Sequence, residues 1–287
     1  DMFSTLGMHL HHQFMKLHQD EVRFSNTDIN VLSAEERRRK GQLDDTCACV
    51  RMDIFQKFKF RRLPYGEDVD LGIRLIAAGY KIAFLSSVAI IHSHNRAASY
   101  YFRRSYVESK HISDLLRLKP SVKTKSDSEI VLISSQMISI YIAINASVSE
   151  VLSMNLFDNP GALFKYYEET LVKILKNGQV PREYNEYKGN ESLNDLFDSM
   201  GIAAAAMKNN LVYDRYMLTT YLHQLQGFKE YLSIYPSLND HKEEWIGSLY
   251  KIFALCYGNY LGMCFSQEVD RQNKMWYQID KTLSLNV

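Results

Sequence analysis

The chain has 287 residues, enough for one large domain or two ordinary ones, and a formal net charge of +1. So balanced a charge argues against a nucleic-acid-binding protein or one with a strongly acidic partner. Tyrosine is abundant (19) and proline scarce (5), which favours a folded, helix-rich protein over a disordered one. The four cysteines form no CxxC pair and no disulfide framework, and the first residues lack the pattern of a signal peptide, so we predict a cytoplasmic location.

In chain order, residues 1–43 are predicted to be mostly helical and charged. Residues 44–95 are the only part with a mixed α/β pattern. Within them, 67–78 is a predicted helix that Gly79 closes, because glycine readily adopts the left-handed conformation that often follows a helix. The runs KIAFL and VAIIH that come next are two short strand candidates.

From about Tyr100 the pattern turns helical and stays so, since apolar residues recur at spacings of three and four. Residues 130–149 carry no charge, and the run is as long as a membrane span. Because it also holds serine, glutamine and asparagine side chains that are costly in lipid, we predict a buried or interfacial helix instead. Peripheral membrane contact is an alternative for the apolar, glycine-containing run 252–265.

Three acids, Glu67, Asp68 and Asp70, stand at the start of the predicted helix. They have an ordinary explanation, because carboxylates at a helix N-terminus accept hydrogen bonds from free N–H groups and oppose the helix dipole. The functional alternative is that one of them is a general base, which takes a proton from a hydroxyl group at the rim of a cleft. Neighbouring carboxylates raise one another's pKa while the helix terminus lowers it, so the sequence leaves the direction of the net shift open.

Two histidines, His92 and His94, stand at the end of the second strand candidate. In an extended chain residues i and i+2 project from the same face, so these two imidazoles are candidate ligands of one metal ion. Exposed polar side chains are the alternative, and a metal would need further ligands from elsewhere. Taken together, the acids begin and the histidines end one α/β unit, whose two ends can open onto the same cleft.

The segment GEDVDLGIRLIAAGYKIAFLSSVAIIHSHN (66–95) resembles the second half of the catalytic domain of family 2 glycosyltransferases with the GT-A fold. The similarity is to rhamnosyltransferase-like members, which build bacterial surface polysaccharides, and it extends over about residues 44–110. Such enzymes typically carry an acid pair, an arginine inside the helix, a GY pair and a closing H-S-H-N. The corresponding residues here are Glu67-Asp68, Arg74, Gly79-Tyr80 and 92–95.

The resemblance implies an inverting enzyme that transfers a single sugar from a nucleotide-sugar donor to a glycan or lipid-linked glycan acceptor. Asp68 would deprotonate the acceptor hydroxyl, and Glu67 would help to bind the acceptor. A divalent cation, Mg²⁺ or Mn²⁺, would neutralise the leaving diphosphate, with His92 as its protein ligand and His94 as the second choice. The residues assigned to acceptor or donor binding are Arg74, Asn95, Arg96 and Arg103.

The implied fold is α/β, a partial GT-A glycosyltransferase domain over residues 1–118, followed by a mainly helical domain over residues 119–287. In this family an apolar strand ending in Asp-x-Asp holds the donor, and no such strand is visible. Asp68-Val69-Asp70 has the spacing but lies inside the predicted helix. We therefore expect the nucleotide-binding half to be missing from this chain, which starts on Asp1. The complete enzyme would act in the cytoplasm or at the inner face of the membrane.

Two other classes of function are open at this point. The α/β unit can be a structural cap on a non-catalytic helical interaction or scaffold protein. Alternatively, His92 and His94 can serve a metal-dependent hydrolase that needs no acceptor. Arg103 and Arg104 have a similar pair of explanations: they clamp a diphosphate, or they form a solvated helix face with the acids that follow them.

Overall fold

The computed structural model describes residues 2–3, 19–88, 95–117, 126–177, 189–202, 215–265 and 273–285. Two strands lie within these ranges, β1 (Glu21–Arg23) and β2 (Ile82–Phe84). The α-helices of the described ranges are α1 (Ala34–Gly41), α2 (Met52–Lys57), α3 (Glu67–Ala77), α4 (Ala98–Leu115), α5 (Asp127–Met154), α6 (Pro160–Asn177), α7 (Glu191–Met200), α8 (Arg215–Leu232), α9 (Lys242–Phe265) and α10 (Lys274–Leu283).

The predicted α/β class is wrong, because the described chain is mainly helical and contains only one sheet, of two antiparallel strands. Val22 of β1 lies opposite Ala83 of β2, and both side chains are exposed. A sheet of the predicted kind would instead be mostly parallel and covered by helices on both faces. The acids begin helix α3, which packs on α1 and on the end of α4. Its contact with the sheet lies further along the helix, where Ile76 clusters with Ile82 of β2.

The strand pairing itself differs from the prediction. The run KIAFL does form β2, but its partner β1 comes from residues 1–43, which we predicted to be helical. Most of the second strand candidate lies at residues 89–92, outside the described residues. The pairing of β1 with β2 joins segments about sixty residues apart, and a three-residue strand gives too little alternation to be recognised locally.

The predicted helix at residues 67–78 is confirmed as α3. Gly79 follows it with a φ of 81°, the left-handed conformation expected of the residue after a helix. The N–H groups of Gly79 and Tyr80 donate to the carbonyls of Ile76 and Leu75, each at 3.0 Å. These hydrogen bonds satisfy carbonyls that would otherwise be left unpaired at the end of the helix.

Helix α3 is fixed from two sides. On one side it crosses α1 so closely that a Cβ on Gly72 would lie 1.9 Å from the carbonyl oxygen of Gly41. On the other side Val69 forms a small buried cluster with Ile112 and Leu116, at the end of α4. The start of α3 is therefore held in place by helices that come before and after it in the chain.

The larger core belongs to the helices that follow α3. Trp245 of α9 is completely buried at its centre and makes edge-to-face contacts with Phe157, Phe164 and Tyr167, at centroid distances of 5.6, 5.9 and 5.6 Å. The hydroxyls of Tyr167 and Tyr221, on α6 and α8, share a hydrogen bond of 2.9 Å. The helical pattern predicted from Tyr100 onward is confirmed over the described residues.

Helix α5 contains the uncharged run and is the one described helix long and apolar enough to cross a membrane by length and composition. Of its most apolar window, 78% is buried inside the structure. Two of its buried hydroxyls are satisfied within the helix, since Ser139 and Ser147 each donate to a carbonyl four residues earlier at 2.7 Å. Asn145 likewise accepts a hydrogen bond from the hydroxyl of Tyr250 at 2.9 Å. The helix has the contacts of a core helix.

Candidate functional site

The candidate site lies where α3 begins. The residue before the helix, Gly66, is buried and has a φ of 77°, so it offers no side chain to cap the free N–H groups. A Cβ at this position would lie 2.9 Å from the Cδ1 atom of Ile112 in α4. Glycine therefore meets two requirements here, a left-handed backbone and close contact with the neighbouring helix.

The acid pair at the helix start is half-buried. The Oδ1 atom of Asp68 accepts a hydrogen bond from the N–H of Val69 at 2.7 Å, so this carboxylate does part of the capping that Gly66 cannot do. The same bond fixes the orientation of the side chain. Glu67 is also half-buried. The capping explanation and the catalytic one thus apply to the same carboxylate.

Asp70 has a different environment from its neighbours. It is only 4% exposed and forms ion pairs with Arg74 at 2.7 Å and with Arg61 at 3.4 Å. Arg74 also donates to the carbonyls of Phe58 and Lys59, at 3.4 and 2.9 Å. Both side chains of the Asp70–Arg74 pair are thus engaged in holding the preceding loop against α3.

A polar cluster on α4 faces the start of α3. The hydroxyl of Tyr65 donates to Glu108 at 3.4 Å, and Glu108 pairs with Arg38 of α1 at 2.9 Å. Arg104 is hydrogen-bonded to the phenol oxygens of Tyr65 and Tyr100. Asp68 interacts electrostatically with Tyr65, so the acid and the cluster share one environment.

The charge states of the cluster follow from these contacts. Burial, reinforced by the carboxylate of Glu108, raises the pKa of Tyr65, so this phenol keeps its proton. Burial alone would lower the pKa of Arg104, but the phenol oxygens of Tyr65 and Tyr100 outweigh it and the pKa is raised. The cluster therefore places a fully charged guanidinium and a neutral phenol beside the acid pair.

The other predicted binding residues lie nearby on the chain. Arg96 is exposed, with its guanidinium carbon 5.7 Å from the centroid of the Tyr100 ring. The side-chain oxygen of Asn95 accepts a hydrogen bond of 3.5 Å from Lys251 of α9. Arg103 is half-buried, and within the described part of the chain its Nε has no hydrogen-bond partner. The structure thus brings Arg96 to the cluster through Tyr100, while Asn95 contacts α9.

The predicted metal ligands, His92 and His94, lie outside the described residues. Among the residues that are described, no group of three or more His, Cys, Asp and Glu side chains is placed to hold a metal ion. The prediction of a Mg²⁺ or Mn²⁺ site therefore stays a prediction. Two surface pockets, one beside β1 and one along α6, do not include the acid pair.

Sequence reasoning missed three members of the cluster, Tyr65, Tyr100 and Glu108. A signal was present in part, because Arg104 and Glu108 are four residues apart and therefore share a helix face. In the structure Glu108 instead pairs with Arg38, which lies seventy residues earlier in the chain. Contacts between helices so distant in sequence leave no trace in local periodicity.

No family model, no curated protein and no solved structure matches the chain.

Proposed function

We propose that the protein containing this chain is an inverting glycosyltransferase, which moves a single sugar from a nucleotide-sugar donor to a glycan or lipid-linked glycan acceptor. The observation that carries the proposal is the placement of Asp68, a half-buried carboxylate held at the first turn of a helix. The resemblance of residues 66–95 to family 2 glycosyltransferases supplies the reaction class. The proposal concerns the activity and does not include a GT-A fold.

In the proposed reaction the oxygen of an acceptor hydroxyl attacks the anomeric carbon of the donor sugar. A carbon–oxygen bond forms as the bond to the diphosphate breaks, and the electron pair of that bond leaves with the diphosphate. The hydroxyl proton passes to the carboxylate of Asp68, which later releases it to solvent. Because attack and departure take place on opposite faces of the sugar, one displacement inverts the anomeric configuration.

Asp68 fits the role of base better than the other two acids. Asp70 is buried in two ion pairs, so its carboxylate is not accessible to a substrate. Asp68 keeps some exposed surface and is oriented by the N–H of Val69. Glu67, one position earlier and also half-buried, is placed to hydrogen-bond a second hydroxyl of the acceptor.

A divalent cation belongs to the proposal as the group that would neutralise the leaving diphosphate. The predicted ligands are His92 and, as second choice, His94. The residues of the described chain carry the remaining tasks, which are taking the proton, orienting the base and placing positive charge beside it.

The test is a donor screen on the complete protein, including any sequence beyond these 287 residues. A panel of nucleotide sugars is offered with a glycan acceptor, and mass spectrometry detects addition of one sugar while NMR reads the anomeric configuration. We expect a product of inverted configuration. Asp68→Asn should reduce its formation by at least about 100-fold, because an amide cannot accept the proton. Asparagine keeps an oxygen for the Val69 N–H, so the variant should still fold.

A helical interaction protein is the second candidate, and the extent of the helical core favours it. It predicts no product with any donor and no effect of Asp68→Asn beyond stability. A hydrolase would release sugar or phosphate at the same rate with and without an acceptor. The same screen therefore separates the three functions.

A further inference from the structure

Tyr100 connects two arginines on the side of α4 that carries the polar cluster. The guanidinium of Arg96 lies over its ring, with 5.7 Å between the guanidinium carbon and the ring centroid. Arg104, four residues and about one helical turn after Tyr100, is hydrogen-bonded to the hydroxyl of Tyr100. Stacking on the ring and bonding to the hydroxyl hold two positive charges near one aromatic side chain.

Neither arginine forms an ion pair with an acid in the described part of the chain. The ion pairs found there involve Arg23, Arg38, Arg39, Arg51, Arg61, Arg74 and Lys110, and not Arg96 or Arg104. Glu108, the acid of the cluster on α4, forms its ion pair with Arg38. A half-buried guanidinium whose hydrogen-bond partners are hydroxyl groups can attract an anion.

The same cluster reaches the acid pair. Tyr65 bonds to Arg104 and precedes Gly66, where α3 begins, and it interacts electrostatically with Asp68. Tyr65, Asp68, Tyr100 and Arg104 are all half-buried, so each presents part of its surface to solvent. A bound molecule can therefore contact the carboxylate at one end and the arginines at the other.

We propose that Arg104 and Arg96, held together by Tyr100, bind an anionic group of the sugar substrate beside Asp68. This inference rests on the proposed transferase function. Oxygens of a phosphate or a carboxylate would accept hydrogen bonds from both guanidinium groups, in the planar geometry that arginine offers. Arg104, and not Arg103, is then the member of the arginine pair that contacts the substrate.

The anionic group can come from either substrate, as the diphosphate of the donor or as the carboxylate of an acidic acceptor sugar. Titration calorimetry on the complete protein distinguishes the two, with uridine diphosphate as one probe and glucuronate as the other. We expect one of them to bind, and Arg104→Gln to weaken its binding by at least about tenfold. Binding of uridine diphosphate assigns the site to the donor, and binding of glucuronate assigns it to the acceptor.

Three variants make the test specific. Arg104→Lys keeps the charge and should restore part of the affinity, while Tyr100→Phe keeps the ring but loses the hydroxyl and should weaken binding by a smaller factor. Arg51→Gln removes one positive charge from an exposed side chain that pairs with Asp53, and it should leave the affinity unchanged. Each variant is first checked by circular dichroism for an unaltered fold.

The inference is overturned if neither probe binds, or if Arg104→Gln and Arg51→Gln behave alike. It can fail separately from the proposed function. If sugar transfer depends on Asp68 but probe binding does not depend on Arg104, the proposed anion site is refuted and the transferase function stands. If probe binding depends on Arg104 but the protein transfers no sugar, the transferase function is refuted and the anion site stands.

Discussion

Asp68 and Asp70 show how two identical side chains, two residues apart, take different tasks. Successive positions of a helix point in different directions, so Asp70 faces the interior while Asp68 faces the polar cluster. Asp70 is 4% exposed and paired with Arg74 at 2.7 Å, whereas Asp68 is half-buried and bonded to the N–H of Val69. The first is therefore assigned to stability, and the second is the proposed base.

Replacement of Asp70 by asparagine should lower the free energy of unfolding by about 3 kcal/mol, because it leaves Arg74 without its buried partner. Urea denaturation measures the change. Arg61→Gln is the matched control, since Arg61 pairs with the same carboxylate at 3.4 Å from a side chain that is 62% exposed. Its loss should cost less than about 1 kcal/mol. Equal losses in the two variants would contradict the structural role of Asp70.

At the level of secondary structure, α9 is notable for two glycines spaced four residues apart, which lie against α4. A Cβ on Gly258 would lie 2.3 Å from the carbonyl oxygen of Phe102, and one on Gly262 would lie 2.4 Å from that of Tyr106. Such distances are shorter than any van der Waals contact, so the two helices approach as closely as their backbones permit. This contact fixes α4, which in turn carries Tyr100 and Arg104.

Gly258→Ala should therefore destabilise the protein by about 1–3 kcal/mol, since the helices must move apart. Gly247→Ala, on the same helix, is the control. A Cβ at Gly247 would meet nothing within 4 Å, and alanine there should stabilise the protein by up to about 1 kcal/mol through its better helix propensity. Thermal unfolding of the Gly258→Ala and Gly247→Ala variants measures the two changes in stability. A destabilising effect of the same size at Gly247 would show that helix packing is not the cause.

The elements that local sequence could predict are those with a strong local pattern. Helix α3 was predicted because acids, apolar spacing and Gly79 all fall within thirteen residues, and the later helices because their apolar period continues over many turns. The pairing of Glu21–Arg23 with β2 was not predicted, since it depends on a contact between distant segments. The prediction of the α/β class was wrong for a related reason. Apolar runs suggest strands, but a sheet forms only where each strand has a hydrogen-bonded partner strand, and local sequence does not show the partner.

The residues of the candidate site divide in the same way, into those with a local sequence signal and those that depend on contacts between distant segments. The acids stand in the motif and Arg96 directly follows it. In the structure Asp68 and Arg96 lie beside the polar cluster. The sequence left Arg104 with two explanations, a diphosphate clamp or a solvated helix face, because its neighbours Tyr65 and Tyr100 are known only once α3 and α4 are packed. The structural roles of Asp70 and Arg74 also became clear only from their ion pair and its burial.

At the scale of the whole molecule, α4 joins the two parts of the described chain. Its first half, with Phe102 and Tyr106, belongs to the large helical core, while Ile112 near its end packs on Val69 of α3. The predicted boundary at residue 118 therefore follows a helix that packs on both parts. Loss of order in the helical core would displace the polar cluster relative to Asp68.

The junction of α4 with α10 should make the stability of the fold depend on pH. Burial, reinforced by Lys110, lowers the pKa of His111, while Asp114 and Asp280 oppose this change. The unfolded chain, with its histidine pKa near 6.5, therefore takes up a proton at higher pH than the folded chain does. The contribution of His111 to stability should be present above about pH 7 and decline as the pH falls through 6.5. Urea denaturation between pH 7.5 and about 5.5 measures this decline, which His111→Gln should reduce. An identical pH dependence in the variant would contradict the assignment.

The most direct test of the proposed activity is the rate at which the complete protein releases nucleoside diphosphate from its donor, measured with and without the acceptor. We expect release that depends on the acceptor in the wild-type protein and falls by at least about 100-fold in Asp68→Asn, with the fold retained. Release at the same rate in the variant, or release that does not require an acceptor, would contradict the assignment of Asp68 as the base of a sugar transferase.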